Sequence, residues 1–423
     1  MDESAGPLHI LVMTDRDWTH PQAGGTGANL YGQVSRWVAW GHRVSVICCS
    51  YPGARRFERI VDGLEVHRMG GRSTVFPRAI LAQARGLVPD ADVVLEVVNG
   101  ITFLTPLWLD APRLTLVHHV HRDHYVEEMG RAGKLAAWLL ETLPLRHLYR
   151  HSRFVTISHA SARDVAWHDI PLDQIDVAYL GVEVDAFGRD ESKRAEEPTL
   201  LFLGRLKRYK RIEFVLDALE ACPGAVLDIA GDGDHHDELV AEIERRGIGD
   251  RVRMHGHVSE ERKRELYQRA WLNMTASSAE GWCLTVMEAA ASGTPSAALA
   301  VGGLPESIVD GKTGVLAHDR DELVQRTRDV MDDHARRARL AEAAYARAEE
   351  FTWDATARRT LGLLRDERDR AAARSPSARR KAVARPAAGL AAAVAARQGV
   401  VGPVVAIGLV ALTALRLARS AQQ

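Results

Sequence analysis

Thr199-Leu200-Leu201-Phe202-Leu203-Gly204-Arg205-Leu206-Lys207-Arg208-Tyr209-Lys210 is an apolar run that stops at a glycine and passes into a strongly basic turn. A run this short, closed by glycine, reads as a strand buried on both faces. The segment behind it, Ile212–Glu220, has helical length and patterning. The unit then repeats through Ala225–Ala230, Asp237–Arg246, Arg251–His255, Glu260–Arg269 and Trp271–Thr275. Strand-helix alternation of this kind makes a parallel sheet with helices on both faces, a doubly wound α/β domain. The earlier half has the same texture. Leu8–Thr14, Arg43–Cys49, Val93–Val97, Leu114–His118 and Phe154–Ser158 read as buried strands, with helix-length segments such as Asn29–Trp40 and Arg131–Arg150 between them.

A chain of 423 residues is too long for one ordinary core, and two domains with extras are expected. After Ile175–Tyr179 the sequence turns polar, and Gly181 through Pro198 reads as a linker, with Asp190-Glu191-Ser192-Lys193-Arg194 inside it. The expected domains are therefore 1–188 and 189–350. Ligands of open α/β sheets bind at the carboxyl ends of the strands, so a cleft between the two halves is the expected site. Glu322 through Glu350 carries ordinary amphipathic helical patterning.

Apolar content of 46% and charged content of 26% are typical of a globular protein in water. The net charge of -1 conceals an asymmetry: the stretch from Arg370 onward holds nine Lys or Arg and no Asp or Glu, leaving 46 basic and 56 acidic residues before it. An acidic body argues against nucleic acid as a partner. Residues 370–398 are basic and Ala/Pro-rich, with Arg379-Arg380-Lys381 at the centre. Gly399–Leu415 then runs without a charge, near the lower limit for a membrane span, which makes 399–417 an anchor candidate. Basic then apolar sequence fits attachment to an anionic cytoplasmic leaflet. The plainer alternative is a disordered tail or a helix docked on the body. Cys48, Cys49, Cys222 and Cys283 show no metal-ligand spacing and fit free thiols in a reducing compartment. Met1-Asp2-Glu3-Ser4 lacks the basic and apolar regions of a secretory signal. A cytoplasmic protein at the inner face of the plasma membrane is the expectation.

Two glutamates carry the chemistry. Ser278-Ala279-Glu280-Gly281-Trp282-Cys283-Leu284-Thr285-Val286-Met287-Glu288 places Glu280 in a small-residue loop and Glu288 inside an apolar helix. With a helix starting near Cys283, free N–H groups and the positive dipole end lie between the two carboxylates. That layout suits a sugar joined to a nucleoside diphosphate: phosphate at the helix tip, hydroxyls donating to carboxylates. The plainer alternative is a surface Glu280 and a solvated Glu288. Arg205 and Lys210, at a strand's carboxyl end, are placed to stabilise charge on a departing diphosphate, whereas Lys207, Arg208 and Arg211 read as a solvated basic turn. In the first half, Gly24-Gly25-Thr26-Gly27 opens the helix Ala28–Trp40 and exposes amides, though it lies too far from strand Leu8–Thr14 for a dinucleotide fingerprint. His118-His119-Val120-His121 ends strand Leu114–Val117, where a histidine cluster would face the cleft.

In order along residues 8 to 365, these features resemble the retaining, nucleotide-sugar-dependent glycosyltransferases of family 4, with the GT-B fold. The resemblance runs through Gly24-Gly25, Gly41-His42-Arg43-Val44, Gly204-Arg205-Leu206 with Lys210, and Gly231-Asp232-Gly233. It continues through Glu280 with Glu288, Gly293-Thr294-Pro295, Gly302-Gly303-Leu304-Pro305-Glu306 and Phe351-Thr352-Trp353. It implies two Rossmann-like domains facing a cleft, with residues 351–369 a helix crossing back to the first domain.

Roles are implied position by position. Arg205, Lys210 and the Gly25 amide would bind the diphosphate, with Gly24 and Gly204 beside them. Glu288 would take the ribose hydroxyls and Glu280 those of the transferred sugar. Backbone over Arg253–Val258, including His255 and Gly256, would read the base, with Gly231 adjacent. Gly281, Trp282 and Cys283 would line the donor site, with the Leu284 and Thr285 amides touching the distal phosphate. Cys283 stands where the family usually has Gly. His118 matches the family's strand-end histidine beside the sugar, and His119 replaces the Asp that commonly follows. The catalytic set implied is His118, Arg205, Lys210 and Glu280, and the acceptor-side set is His119, His121 and Ser158. Asp232-Gly233-Asp234 falls where the family has Gly-x-Gly, so it reads as structural, with no essential metal and no cofactor beyond the nucleotide-sugar substrate.

Retaining hydrolases flank the scissile bond with two carboxylates, but here both glutamates are assigned to binding, so the departing phosphate oxygen takes the acceptor's proton. The function expected is transfer of a hexose-type sugar to a lipid-linked or glycan acceptor at the membrane. The alternatives are a soluble small-molecule acceptor or a nucleotide-sugar-binding protein without catalysis.

Overall fold

The computed structural model describes residues 6–121, 134–135 and 137–373. The chain forms two compact units: one takes in residues through Ile157, Ser161–Ala178 and Ala357 onward, the other Ser158–Ala160 and Tyr179–Thr356.

In the first unit the strands are β1 (His9–Met13), β2 (Arg43–Cys48), β3 (Phe57–Val61), β4 (Leu64–Arg68), β5 (Val93–Val98), β6 (Arg113–Val117), β7 (Arg153–Thr156) and β8 (Ile175–Val177). They form one sheet in the order β3-β4-β2-β1-β5-β6-β7-β8. The chain reverses direction across the sheet between β1 and β5, both rich in Val, Ile and Leu and buried almost throughout. Glu96 interrupts the apolar run of β5. It is fully buried, accepts from the Phe103 amide at 2.7 Å, the Tyr149 hydroxyl at 2.6 Å and the Thr105 hydroxyl, and burial pushes its carboxyl up. Three donors make that burial tolerable. The sheet departs from the all-parallel expectation at one edge, where β3 and β4 pair antiparallel around Asp62-Gly63, a turn pair that matches the twist of a hairpin.

In the second unit the strands are β9 (Thr199–Leu203), β10 (Val226–Ala230), β11 (Val252–Gly256), β12 (Leu272–Thr275), β13 (Ser296–Leu299) and β14 (Gly314–Ala317). Their order is β11-β10-β9-β12-β13-β14, parallel throughout. This is the doubly wound order, and its switch point lies between β9 and β12. The core is Leu200, Phe202, Leu216, Leu227, Leu272 and their neighbours, all fully buried. Truncating one such leucine to alanine costs about 3 kcal/mol.

The division falls at residue 178/179, not at 188/189. Val182 already belongs to the second unit, where it donates its N–H to Phe351 O at 2.9 Å and bridges to Thr352. The expected linker is also fastened down: the Arg194 guanidinium donates to Ala270 O, to Thr294 Oγ1 at 2.7 Å and to Gly293 O at 2.9 Å. The last helix, Trp353–Ala373, passes into the first unit from Ala357, where the Ala357 carbonyl accepts from the fully buried Trp37 indole at 3.0 Å. It runs four residues past the expected end at 369, so Arg370–Ala373 is helical. The rest of the basic stretch and the anchor candidate at 399–417 lie outside the described residues. Among the described residues no helix is long and apolar enough to cross a membrane.

Candidate functional site

Two loops flank the switch point of the second sheet, one following β9 and the other β12. The first carries Gly204 to Arg211 and the second Ala276 to Cys283, so the topology alone brings Lys210 and Glu280 together. Lys210 Nζ lies 2.5 Å from Glu280 Oε1, and Ser277 Oγ donates to the same oxygen at 2.7 Å. The loops are also joined through backbone, Ser278 N–H donating to Tyr209 O at 2.8 Å. Burial opposes the Lys210 ammonium, but the Glu280 carboxylate outweighs it and holds the amine above the ordinary lysine range. The other cations divide. Lys207 pairs with Asp234 at 2.7 Å and Arg208 with Glu238, so these two are engaged, not simply solvated. Arg205 is exposed, donates only to the Tyr209 hydroxyl at 3.3 Å, and has no carboxylate partner among the described residues.

The helix Leu284–Ala291 starts at the end of the second loop. Val286 N–H reaches back to Cys283 O, while the Leu284 and Thr285 amides precede the first intrahelical acceptor. Cys283 caps this helix at φ +75, a left-handed conformation that glycine adopts without strain. Its buried thiol lies 3.2 Å from Thr285 Oγ1 and is pushed up to about 11, first by burial and then by Glu280. Glu288, one turn into the helix, is part-buried and engaged on both oxygens: Lys263 Nζ is 3.0 Å from Oε1, and Tyr267 donates to Oε2 at 3.0 Å. Neither Lys263 nor Tyr267 is legible as a site residue from spacing.

Two glycine contacts fix this geometry. Gly303 N–H donates to Glu280 O at 2.8 Å, and a Cβ on Gly303 would lie 2.0 Å from Gly281 O. A Cβ on Gly231 would lie 1.9 Å from Gly204 O. The strand-end turns therefore pack backbone against backbone. In the same turn Asp232 accepts from the Gly233 amide at 2.7 Å, and Asp234 is held by Lys207. His255 is oriented by Asp228 at 2.7 Å, and the adjoining Gly256 carbonyl accepts from Gly231 N–H at 2.7 Å. The side chain of Trp282 lines nothing open. It is 1% exposed and packs on Tyr179 and Phe351, with ring centroids 4.5 and 4.9 Å away.

The first unit holds the remaining expected residues except Ser158, which falls with the second unit. Gly24 to Gly27 do not precede the helix as a loop but form its first turn, since the helix spans Gly24–Ala39. The amides of that first turn still lack intrahelical acceptors, save the Gly27 N–H that reaches Ala23 O. His118 is buried, its Nε2 2.8 Å from the Asn29 amide nitrogen, and Gln33 donates to Asn29 Oδ1 at 2.7 Å. That chain of donors assigns Nε2 as acceptor and the proton to Nδ1. Burial, with His119 and Arg16 nearby, lowers the His118 pKa to about 3, so the imidazole is neutral. His119 and His121 stack with centroids 4.2 Å apart, and the buried Glu141 accepts the His121 amide at 2.9 Å. Ser158 is buried, just before the helix His159–Ala166. The Glu306 carboxylate caps that helix by accepting the His159 and Ala160 amides at 2.8 Å each.

Comparison with known proteins follows the same two halves. Residues 184–347 match the family model of glycosyl transferases group 1, and residues 24–181 that of the glycosyl transferase 4-like domain. Each half of the chain is thus similar to a glycosyl transferase domain. It is 32% identical over 268 residues to the D-inositol 3-phosphate glycosyltransferase of Mycolicibacterium smegmatis, covering 58% of this chain and 61% of that protein. With the glycogen synthase of Mycobacterium tuberculosis it shares 35% over 180 residues, covering 40% of this chain and 44% of the relative. The chain thus spans about half the length of the curated relatives it matches. Among solved structures, sucrose-phosphate synthase from Thermosynechococcus elongatus superposes with a TM-score of 0.74 at 20% identity, over 85% of this chain and 98% of that one. Anabaena HepE in complex with UDP-glucose gives 0.66 at 17%, over 85% and 100%. At these identities the likeness is one of fold: the chain has the GT-B fold of two Rossmann-like domains.

Proposed function

We propose that the chain is a glycosyltransferase that moves a hexose-type sugar from a nucleoside-diphosphate sugar to an acceptor with retention of anomeric configuration. One observation carries the reading: Lys210, Glu280 and the first-turn amides of the helix Leu284–Ala291 converge at the switch point of the second sheet, with Arg205, which has no carboxylate partner among the described residues, on the same loop as Lys210. Arg205, Lys210 and the Leu284 and Thr285 amides bind the diphosphate. Glu280 accepts from the sugar's hydroxyls and Glu288 from the ribose. As the bond from the anomeric carbon to phosphate oxygen breaks, the acceptor oxygen bonds to that carbon and its proton passes to the departing phosphate. Positive charge held in place stabilises that departure. His118, as a neutral imidazole, serves as a hydrogen-bonding group and not as an acid. In this reading the reaction is metal-independent: Asp232 accepts the Gly233 amide within its turn, and Asp234 pairs with Lys207 from the loop after β9.

The acceptor in this reading is lipid-linked or glycan, met at the cytoplasmic membrane face through residues 370–417. A second reading, a soluble phosphorylated polyol acceptor, is supported by the name of the D-inositol 3-phosphate glycosyltransferase relative. The test is nucleoside diphosphate release by the full chain, in the presence of a metal chelator, from a panel of nucleotide sugars. Release stimulated by membrane lipid extract supports the first acceptor, and release stimulated by D-inositol 3-phosphate supports the second. No release from any donor overturns the proposal.

A further inference from the structure

Glu288 does not stand alone. The helix Glu260–Arg269 presents Lys263 and Tyr267 one turn apart, hence on one face, and that face meets Glu288. Each supplies one donor to one carboxylate oxygen: Lys263 Nζ to Oε1 and the Tyr267 hydroxyl to Oε2, both at 3.0 Å. The donors are themselves constrained. Tyr267 is fully buried, its ring edge-on to Phe187 at 6.0 Å between centroids. Lys263 is held by Glu260 at 2.8 Å and lies over the Phe187 ring, 5.3 Å from its centroid. The Glu288 side chain keeps 15% of its surface open.

A carboxylate has about two lone-pair sites on each oxygen. One donor on each therefore restrains the plane of the carboxylate and leaves one acceptor site per oxygen. That pair of sites matches a vicinal diol, whose two hydroxyls donate in parallel. We infer that Lys263 and Tyr267 are positioning residues that orient Glu288 for the two ribose hydroxyls of the donor nucleotide, and so set discrimination between ribose and 2′-deoxyribose. The inference rests on the reading of Glu288 as the ribose ligand.

The experiment measures affinity of the full chain for UDP, GDP and ADP and for their 2′-deoxy counterparts by calorimetry. For the nucleotide that binds best, the wild type prefers the ribo form by about tenfold, the worth of one hydrogen bond to a charged group. Tyr267→Phe, and separately Lys263→Met, reduce that preference to about twofold while leaving 2′-deoxy affinity within about twofold of wild type. If both variants weaken ribo and 2′-deoxy binding equally, so that the ratio is unchanged, the two side chains are merely structural and the inference is overturned. If the wild type binds a nucleotide but shows no ribo preference, Glu288 is not the ribose ligand. If it binds none of the six, the donor-binding reading itself fails.

Discussion

Lys210 and Glu280 are each other's partner: 2.5 Å separates Nζ from Oε1, so the cation assigned to the diphosphate and the carboxylate assigned to the sugar form one ion pair. The two roles are therefore coupled before any donor arrives.

A double-mutant cycle tests that coupling. Lys210→Ala leaves Glu280 without its cation, and Glu280→Gln leaves the ammonium with a weaker acceptor. Each lowers kcat/KM about 100-fold, and the double variant is little worse than the poorer single one. Losses that multiply would show two independent contacts. The pair is also insensitive to mild alkali. A raised lysine pKa contributes stability in full below the unfolded value of about 10.4 and loses it only above. The stability difference between wild type and Lys210→Met is thus flat from neutral pH to about pH 9.

Mild acid loosens the first unit through His118. Its pKa falls to about 3 on folding, so the unfolded chain binds the extra proton first as pH drops below about 6.5, and stability is lost from there downward. The linkage amounts to about 2 kcal/mol between pH 8 and pH 5. His9, His42 and His67 are lowered in the same direction by burial and remain in any His118 variant. Denaturant midpoints of wild type and His118→Gln at the two pH values isolate the residue. Equal falls in both proteins would exonerate it.

Substitution at Cys283 should reverse the usual order of glycine and alanine. At φ +75 any residue with a Cβ is strained by about 1 kcal/mol, which glycine avoids. Cys283→Gly is expected to melt at or above Cys283→Ala. An alanine variant clearly more stable than the glycine one would refute the strain.

Gly303→Ala pushes a methyl group to 2.0 Å from Gly281 O and is expected to cost about 3 kcal/mol. Gly249→Ala, where a Cβ meets nothing within 4 Å, is the control and costs less than about 1 kcal/mol. Similar melting temperatures for the two variants would show that the Glu280 and Gly302 loops can part.

Much of this was legible in the sequence because buried strands announce themselves. Val93–Val98 and Thr199–Leu203 are apolar almost without break, and their order in the chain implied two doubly wound sheets. The strands that escaped had other reasons to be quiet. Phe57–Val61 carries the charged pair Glu58-Arg59 and lies at a sheet edge, and Ser296–Leu299 and Gly314–Ala317 are built mostly from small residues with little hydrophobic signal. Lys210 with Glu280 could be anticipated because strand ends converge. Lys263 with Tyr267 could not, since their link to Glu288 crosses between two helices and shows only in three dimensions. The polar texture of Gly181–Pro198 misled because Arg194 spends its charge on buried carbonyls, which composition cannot reveal.

The backbone contacts of Gly231 and Gly303 bear on how variation in this protein should be interpreted. No side chain fits at either position, whatever the reaction. In a saturation mutagenesis map both columns would be as intolerant as Lys210, and by activity alone they would pass for catalytic residues. A screen that scores abundance of folded protein separately from turnover would part them: the glycine variants are expected to disappear from the cell, whereas Lys210 variants are expected to accumulate with turnover about 100-fold lower.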